Sequence, residues 1–453
     1  MKKKFFGTDG IRGLVNKGSM TPGMLTKIAQ ATGLYFQKEP RRHIVVIGKD
    51  TRLSGYLVEP ALTSGFISMG MDVVLVGPVP TPAVSLLTKS LRADLGVMIS
   101  ASHNPYTDNG LKFFTSEGHK LTDAQELEIE ELVQTFDQKK LSPATTLGRA
   151  KRLDDAAGRY VEFIKSTFPA GKRLDGLKVV IDCANGAAYK IAPMVLWELG
   201  AEVIAIGVDP NGRNINLDCG ATSPQTMAER VLEEKADIGI ALDGDADRII
   251  ISDEKGTIIE GDKIIGAIAY AWKKEGRLKN NCIVTTIMSN GGLKKYLEKE
   301  NVQVIQTPVG DRHVGQAMNK YGCNIGGEPS GHVILNDYGA TGDGLLTALQ
   351  ILAIMVQSGD KASKICTPFS LSPQMIKNIP LHNKSLLEEG DVKNKIEKLS
   401  ENLKKEGGRV LVRPSGTEPV VRIMAEGPNK EDLAHAISTI AAFLKEEDKD
   451  RNA

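Results

Sequence analysis

The feature that most restricts how this chain can fold is one order of predicted elements that occurs three times. Each occurrence has a first apolar strand, a polar loop, a helical stretch, a second strand, and a third strand that ends in another polar loop. A further apolar run then leads away from that last loop. Strands that alternate with helices in this way predict α/β domains with mostly parallel sheets. We therefore predict three consecutive, similar α/β domains.

The predicted strands keep the same order in each domain. The first strands are Ile44–Ile47, Val179–Ile181 and Ile283–Thr286. The second strands are Asp72–Val76, Glu202–Ile206 and Val302–Ile305. The third strands are Asp94–Ile99, Asp237–Leu242 and Cys323–Ile325. The apolar runs that lead away are Leu111–Phe114, Ile249–Ile251 and Val333–Leu335.

From about Leu371 the pattern changes. Three strands are predicted at Met375–Leu381, Arg409–Val412 and Val420–Ala425, and Asn429 can cap a final amphipathic helix. The predicted fold is thus three α/β domains with mixed, mostly parallel sheets, plus a smaller C-terminal α+β domain, around a central cleft. The predicted domains are 1–150, 151–254, 255–368 and 369–453, with linkers near 141–155 and 366–373.

Composition excludes several classes of protein. The net charge of +1 gives no bulk attraction to nucleic acid or to a membrane surface, so neither is expected as a partner. No apolar run is long enough to span a bilayer, and the basic start lacks the apolar region of a signal peptide. The five cysteines form no Cys-x-x-Cys pair and no zinc spacing, so each is expected to be a small core or strand-end residue. A reducing, cytoplasmic compartment fits this composition.

The polar loops after the third strands hold the residues best suited to chemistry. They are Ser-Ala-Ser-His-Asn-Pro (100–105), Asp-Gly-Asp-Ala-Asp-Arg (243–248) and Gly-Glu-Pro-Ser-Gly-His (327–332). Open α/β sheets bind ligands beyond the carboxyl ends of their strands. We therefore expect the three loops to converge on one cleft.

In the first loop, Ser102 is a candidate nucleophile. Ser100 and Ser102 are two residues apart, so in an extended chain their hydroxyls would share one face. The alternative is a Ser/Asn/Pro turn that merely ends a strand.

In the second loop, three aspartates alternate with small residues. In near-extended backbone Asp243, Asp245 and Asp247 would point the same way, and a set of oxygen ligands suits Mg²⁺ or Ca²⁺. An EF-hand is excluded because the second half of that loop and its terminal Glu are absent. The alternative is a solvated acidic turn, although three clustered carboxylates repel one another unless a cation lies among them.

Other polar residues could complete such a site. Glu328 and Ser330 suit sugar hydroxyls, and His332 could move a proton. A flexible Gly-rich loop at 7–13 carries Arg12, while Arg248 follows the aspartates and Lys112 lies on the strand that leaves the Ser102 loop. The loop with Arg413, Ser415, Gly416 and Thr417 could wrap a phosphate. Taken singly, each of these residues has a bland alternative: a satisfied loop histidine, a solvated charge or a hairpin turn.

Together these features describe phosphoryl transfer to a sugar phosphate. Three carboxylates contribute −3, Mg²⁺ contributes +2, and a phosphoserine adds about −1.5 to −2. Arg12, Lys112 and Arg248 are the cations available to balance that charge.

Five motifs in this order resemble the α-D-phosphohexomutases nearly end to end. They are Gly-Thr-Asp-Gly-Ile-Arg-Gly (7–13), Ser-Ala-Ser-His-Asn-Pro (100–105), Asp-Gly-Asp-Ala-Asp-Arg (243–248), Gly-Glu-x-Ser-Gly-His (327–332) and Arg-Pro-Ser-Gly-Thr-Glu-Pro (413–419). Asp-Cys-Ala-Asn-Gly-Ala-Ala-Tyr (182–189) and Asn-Ile-Asn (214–216) resemble the glucosamine branch rather than the mannose/glucose branch. Pro329 departs from the pattern, because that branch usually has Gln there.

The resemblance implies an isomerase that interconverts glucosamine 6-phosphate and glucosamine 1-phosphate in the cytoplasm, in a pathway that leads to cell-wall precursors. It implies a phosphoserine at Ser102 and Mg²⁺ held by Ser102, Asp243, Asp245 and Asp247. It also implies glucosamine 1,6-bisphosphate or glucose 1,6-bisphosphate as activator, and a homodimer is possible. The implied site residues comprise the catalytic Ser102, Lys112, His332, Arg12 and Arg248 and the substrate-binding Glu328, Ser330, Arg413, Ser415, Gly416 and Thr417.

Three alternatives stay open at this point. One is a phosphomannomutase/phosphoglucomutase of the same family, which a comparison of substrates would distinguish. Another is a non-catalytic sugar-phosphate-binding paralogue, which loss of Ser102 or of an aspartate would have signalled. A serine phosphatase is the weakest, because hydrolysis needs no loop that holds a second phosphate.

Overall fold

A computed structural model of the chain describes residues 3–7, 9–381, 384–414 and 420–450. These residues form two compact units. One unit contains the first three predicted domains except the segment Asn290–Tyr296, and the other contains that segment together with the chain from Phe369 onward. In the described part of the chain, no helix has both the length and the apolar composition needed to cross a lipid bilayer.

The first unit contains three mixed sheets flanked by helices. The strands of the first sheet are β1 (Phe6–Gly7), β2 (Gly10–Leu14), β3 (Ile44–Lys49), β4 (Asp72–Pro78), β5 (Leu95–Ile99), β6 (Asp108–Thr115) and β7 (Ala150–Arg152). Those of the second are β8 (Lys178–Asp182), β9 (Glu202–Ile206), β10 (Ile238–Leu242), β11 (Ile249–Asp253) and β12 (Ile258–Ile259). Those of the third are β13 (Cys282–Thr286), β14 (Gln303–Thr307), β15 (Ile325–Gly327) and β16 (Val333–Leu335).

Helices lie between these strands along the chain. In the first domain they are α1 (Pro22–Phe36), α2 (Gly55–Ser68), α3 (Thr81–Ser90) and α4 (Asp123–Thr135). In the second they are α5 (Ala156–Ser166), α6 (Ile191–Glu198) and α7 (Gln225–Glu234). In the third they are α8 (Gly261–Lys274), α9 (Gly291–Lys299), α10 (Asp311–Tyr321), α11 (Gly344–Ser358) and α12 (Ala362–Ile365).

The three sheets share one arrangement at their centres, which confirms the predicted repeat. The third strand of each domain (β5, β10 or β15) pairs in parallel with the first strand and antiparallel with the strand that leads away. The first strand in turn pairs in parallel with the second. Every residue of β5, β10 and β15 is buried, as expected for central strands covered on both faces. The polar loop that follows each third strand therefore starts from a rigid position.

The second unit is a smaller α+β fold. Its sheet has the order β17-β19-β18, all antiparallel, with strands β17 (Gln374–Pro380), β18 (Arg409–Pro414) and β19 (Val420–Glu426). Its helices α13 (Gly390–Lys405) and α14 (Lys430–Asp450) pack on that sheet through a common apolar core. The predicted cap is confirmed, because the Asn429 side chain accepts a hydrogen bond from the Glu431 amide at 3.0 Å.

The predicted linker at 141–155 is wrong in part. Residues Ala150–Arg152 form β7, which pairs in parallel with Val73–Leu75 at the edge of the first sheet. All three residues of β7 are exposed, so they show none of the apolar alternation by which a strand is recognised in a sequence.

All five cysteines are buried, as expected of core or strand-end residues, but two of them also form a pair that was not predicted. Cys282 and Cys323 form a disulfide. Cys282 begins β13 and Cys323 lies two residues before β15, and these two strands are neighbours in the third sheet. Sheet pairing thus brings together residues that are 41 positions apart. Cys183, Cys219 and Cys366 are free and buried, as predicted.

Candidate active site

The Ser102 loop follows β5, and its first three residues, 100–102, are buried. Ser102 is only 1% exposed, and its Oγ donates a hydrogen bond to Asp243 Oδ2 at 2.6 Å. The expectation that Ser100 and Ser102 share one face of an extended chain is wrong. Ser102 has a φ of +51°, and its amide donates to the Ser100 Oγ at 2.8 Å, so the chain turns between the two hydroxyls. That turn aims the Ser102 hydroxyl at the loop of the second domain.

The three aspartates of that loop converge, although not through an extended backbone. Ala246 has a φ of +59° and its amide donates to the Asp243 carbonyl, so the segment is a tight turn. Oxygen atoms of Asp243, Asp245 and Asp247 nevertheless lie within 4.8 Å of one another, and all three side chains are buried. A turn can gather three carboxylates as well as an extended strand can, because their spacing along the chain is short.

These carboxylates fit a magnesium ion. Buried oxygens of Asp245 and Asp247 (Oδ1 in each case) have no hydrogen-bond partner among the residues that the structure describes. A buried carboxylate oxygen without a donor is unfavourable, and Mg²⁺ prefers such oxygens as ligands. Together with the Ser102 hydroxyl beside Asp243, they could hold the ion between the first and second domains.

Lys112 of β6 supplies the main positive charge among the acidic side chains. Its ammonium lies 2.6 Å from Asp247 Oδ2, 2.8 Å from Asp245 Oδ2 and 3.2 Å from Asp9 Oδ2. Burial opposes the charged form of Lys112, but Asp245, Asp247 and Asp9 outweigh burial and raise its pKa well above the ordinary value. Lys112 is therefore a cation. It lies on the strand that follows the Ser102 loop, as predicted.

The pKa values of Asp243 and Asp247 shift in opposite directions. Burial and the neighbouring charges of Asp247 and Asp245 raise the pKa of Asp243. Burial would also raise the pKa of Asp247, but Lys112 and His332 outweigh it and hold that pKa well below the ordinary value. Cations thus balance the negative charge of the aspartates, and a divalent ion bound there would do the same.

Arginines 12 and 248 bring further positive charge to the same place. Arg12 lies on β2 and pairs with Asp9, and the Arg248 amide donates to Asp243 Oδ1 at 3.1 Å. The Nε atoms of both arginines are buried and have no hydrogen-bond partner in the described part of the chain. Buried guanidinium donors of this kind suit a phosphate group.

His103 was not assigned a role from the sequence, although it lies inside a quoted motif. Its Nδ1 is 3.4 Å from the Ser102 Oγ and 3.1 Å from Arg248 Nη1. Burial, Arg248 and Arg12 lower the pKa of His103 to about 3, so its imidazole is neutral at pH 7. It can therefore accept a hydrogen bond from Arg248 beside the Ser102 hydroxyl.

His332 is buried and lies against two carboxylates. Its Nε2 is 3.3 Å from Asp311 Oδ2, and its Nδ1 is 3.6 Å from Asp247 Oδ1. Burial lowers its pKa, but Asp247 and Asp311 outweigh burial and the net shift is upward.

Lys120 binds both Asp311 and Asp9, and so connects the third domain to the first. Sequence reasoning missed Lys120 and Asp311; the only signal was Asp9 inside the first motif.

The predicted sugar loop begins at the end of β15. Glu328 and Pro329 are half-buried, and Ser330 is exposed. The Gly310 amide donates to Glu328 Oε1 at 3.0 Å, which fixes the carboxylate. The Pro329 carbonyl accepts from the Gly261 amide at the start of α8. Proline at 329 is compatible with this contact, because the contact needs a carbonyl oxygen and not the N–H that proline lacks.

The predicted phosphate loop lies in the second unit. Arg413 is on β18, where it stands opposite Arg422 of β19. Ser415, Gly416 and Thr417 lie outside the described residues. The role of this loop remains a prediction.

Comparisons with known proteins cover nearly the whole chain. Four domain models of the phosphoglucomutase/phosphomannomutase family match: α/β/α domain I at residues 3–140, domain II at 158–256, domain III at 260–370 and the C-terminal domain at 377–442. Proteins named phosphoglucosamine mutase from Rhodopseudomonas palustris (strain BisA53) and Beijerinckia indica are 53% and 55% identical to this chain. The first alignment covers 98% of this chain and 99% of the relative, and the second covers 98% of both.

Solved structures share the fold. A phosphoglucomutase/phosphomannomutase family protein from Burkholderia thailandensis has a TM-score of 0.79 at 24% identity, over 96% of this chain and 95% of its own. The N-acetylphosphoglucosamine mutase of Aspergillus fumigatus, solved in complex with GlcNAc-6P and magnesium, has a TM-score of 0.68 at 18% identity, over 97% and 95%. The chain therefore belongs to the phosphoglucomutase/phosphomannomutase family, the α-D-phosphohexomutases.

Proposed function

We propose that this chain is an isomerase that interconverts glucosamine 6-phosphate and glucosamine 1-phosphate. The observation that carries the proposal is the hydrogen bond from the buried Ser102 hydroxyl to Asp243, at the edge of the acidic cluster. A nucleophile, a cation site and compensating lysine and arginine side chains are what phosphoryl transfer needs. The sugar is proposed from the relatives named phosphoglucosamine mutase, which are 53–55% identical over nearly the full chain.

The proposed reaction has two balanced halves. Phosphorylated Ser102 gives its phosphoryl group to O1 of the 6-phosphate: the Oγ–P bond breaks, the O1–P bond forms, the O1 hydroxyl loses its proton, and the Ser102 Oγ gains one. The 1,6-bisphosphate then turns in the cleft. Ser102 then takes the phosphoryl group from O6: the O6–P bond breaks, the Oγ–P bond forms, the Ser102 hydroxyl loses its proton, and O6 gains one. Lys112 and His332, which lie among the carboxylates, are the proposed carriers of these protons.

The remaining side chains position the groups and balance their charge. Arg12 and Arg248 are proposed to bind the transferring phosphoryl group through their buried guanidinium donors. Glu328 and Ser330 are proposed to bind sugar hydroxyls, and Arg413 with Ser415, Gly416 and Thr417 the phosphate that does not react. Asp243, Asp245, Asp247 and Ser102 would hold Mg²⁺, which when bound neutralises charge on the phosphoryl group.

An activator is part of the proposal. A bisphosphate that is released before its second transfer leaves the enzyme without phosphate on Ser102, so added 1,6-bisphosphate should restore it. A variant of the A. fumigatus enzyme has been solved with glucose 1,6-bisphosphate. We propose glucosamine 1,6-bisphosphate or glucose 1,6-bisphosphate in that role here, with the reaction located in the cytoplasm.

A coupled assay for glucosamine 1-phosphate, with and without added bisphosphate, tests this function. Peptide mass spectrometry should find phosphate on Ser102 in part of the purified protein, and Ser102→Ala should abolish turnover while the protein stays folded. Near-normal activity in that variant would refute the mechanism. Glucose and mannose phosphates belong in the same assay, because Pro329 departs from the usual glucosamine pattern. Faster turnover of either would favour the phosphomannomutase/phosphoglucomutase alternative.

A further inference from the structure

The segment Gly-Lys-Asp-Thr-Arg (48–52), which forms the end of β3 and the start of the loop after it, has no part in the function described so far. Its last residue, Arg52, has a side chain that is 0% exposed. Burying a guanidinium is unfavourable unless its donors and its charge are satisfied. The partners of Arg52 therefore show what the burial achieves.

All five N–H donors of Arg52 are used. The Nε donates to Asp50 Oδ2 at 2.8 Å. The other four donate to backbone carbonyls of the Ser102 loop: Nη2 to Ser102 at 2.9 Å and to Asn104 at 2.8 Å, and Nη1 to Asp108 at 3.1 Å and to Pro105. One side chain thus holds the loop from Ser102 to Asp108 at four points.

A residue of the second domain binds two of the same carbonyls. Asn216 Nδ2 donates to the Ser102 carbonyl at 2.9 Å and to the Asn104 carbonyl at 3.3 Å. The backbone of Asn216 is itself fixed, because its main-chain N–H donates to the Ala184 carbonyl at 2.9 Å. The carbonyls of Ser102 and Asn104 are therefore held from both domains that form the acidic site.

Asp50 connects Arg52 to the other end of the loop. Its Oδ2 accepts from the Ser100 Oγ at 2.7 Å, and the Ser100 Oγ accepts from the Ser102 amide at 2.8 Å. Both the amide and the carbonyl of Ser102 are thus bound within one buried network.

This network holds Ser102 in a conformation that it would not adopt alone. A φ of +51° is in the left-handed region, which residues other than glycine rarely occupy, and such a conformation persists only where the surroundings enforce it. In that conformation the hydroxyl lies 2.6 Å from Asp243. If the carbonyl contacts were lost, the loop could relax and the hydroxyl would move away from the metal site.

We propose that Arg52 and Asn216 are positioning residues, which hold the carbonyls of Ser102 and Asn104 and thereby keep the Ser102 hydroxyl aligned for phosphoryl transfer. This rests on the proposed function, since it takes Ser102 as the phosphorylated residue. The same Oγ atom serves both halves of the reaction, so the loss of either positioning residue slows both directions.

Asn216→Asp is the first test. The change preserves size and is tolerated at the φ of +59° found there, but it puts an oxygen in place of the amide group that faces the two carbonyls. We expect kcat to fall by a factor of about 10 to 100 in both directions, since small misplacements of a reacting group have effects of that order. The KM for the sugar phosphate should change less than about threefold, because its contacts are untouched. The rate of Ser102 phosphorylation by added 1,6-bisphosphate should fall in parallel with kcat.

A second variant and a matched control separate positioning from folding. Asn216→Gly removes the amide at a position where glycine has no backbone strain, and should give the same loss of kcat. Asn214→Asp makes the identical change two residues away. In the described part of the chain the Asn214 side chain bonds within its own loop: its Nδ2 donates to the Asp209 carbonyl, and its Oδ1 accepts from the Asn211 amide. That control should lower the melting temperature but leave kcat unchanged.

Arg52→Lys completes the set. Lysine keeps the charge but has three donors rather than five and no planar fork, so a loss of kcat larger than that of Asn216→Asp is expected in the folded fraction. The proposal is overturned if both Asn216 variants keep the wild-type kcat, or if KM rises while kcat is unchanged. If wild-type protein carries no phosphate on Ser102 under activating conditions, the proposed function fails, and this proposal with it, before any variant is compared.

Discussion

Replacing Lys112 by methionine should make the stability of the protein depend strongly on magnesium. The methionine side chain has a similar length but no charge, so Lys112→Met leaves the buried Asp245 and Asp247 and the half-buried Asp9 without their common cation. Since Lys112 itself is only 1% exposed, water cannot readily replace it.

The contact distances set the magnitude. At 2.6–3.2 Å, and with an effective dielectric constant of about 20, each of the three ion pairs has a gross Coulomb energy of roughly 5–6 kcal/mol. The desolvation of the buried ammonium offsets much of this, and removal of one partner from a buried pair usually costs about 3–5 kcal/mol. Because three carboxylates remain, we expect the free energy of unfolding in EDTA to fall by about 5 kcal/mol. The fall is limited because one of the carboxylates can take up a proton.

Urea unfolding in EDTA and in MgCl₂ measures the effect. Mg²⁺ should restore stability to Lys112→Met, by about 2.7 kcal/mol when its concentration is 100 times the Kd. At the same Mg²⁺ concentration wild-type protein should gain less, because the positive charge of Lys112 beside Asp245 and Asp247 repels the ion and weakens its binding. The matched control is Lys49→Met on β3, where one carboxylate, Glu59, is the partner. Because Glu59 is buried, this change should cost about 3 kcal/mol, less than Lys112→Met, and show no dependence on Mg²⁺. Equal stability of wild type and Lys112→Met in EDTA, or equal gains from Mg²⁺, would refute this reasoning.

Three further predictions concern the metal requirement, Arg413 of the second unit, and Asp343. EDTA should remove mutase activity and Mg²⁺ restore it, and Asp245→Asn should raise the Mg²⁺ concentration needed; full activity without metal would contradict the proposed site. In the second unit, Arg413→Ala should lower kcat/KM by about 1.5–3 kcal/mol, with Arg413→Lys intermediate, while Ser102 is still phosphorylated; unchanged kinetics would leave the loop a packing element. Burial raises the pKa of Asp343, which accepts a hydrogen bond from Tyr160, to about 6. The protonated folded form is then favoured at low pH, and its stabilising effect is lost as the pH rises from about 4 to 6. Asp343→Asn should therefore gain up to roughly 3 kcal/mol relative to wild type across that range in urea unfolding; a constant difference would contradict the shift.

The strands of the repeat were predicted well because their signal is local. The predicted Glu202–Ile206 and Val333–Leu335 are β9 and β16 without change, and the other predicted strands differ from the observed ones by a few residues at their ends. Apolar runs bounded by polar loops are sufficient for this, since a central strand is buried on both faces. Strand β7 was missed for the opposite reason, because its three residues are exposed at a sheet edge.

The candidate nucleophile, the three aspartates, Lys112 and His332 lie close together, but the way in which they are held could not be predicted. Lys120 contacts Asp9 and Asp311, which are 111 and 191 positions away, and no spacing in the sequence encodes such contacts. The positive φ of Ser102 was equally hidden, because it depends on carbonyl contacts from Arg52 and Asn216. Local pattern predicts which side chains could carry chemistry, whereas tertiary packing decides their orientation.

The backbone conformation at Ser102 also limits which amino acids evolution or engineering could place there. Threonine has a hydroxyl that could carry a phosphate, but a β-branched side chain is a steric outlier at a φ of +51°. A threonine would have to rearrange the loop before its oxygen could reach Asp243. The choice between two chemically similar alcohols is therefore made by backbone sterics, and a directed-evolution library at this position should reject threonine even where it tolerates other changes nearby.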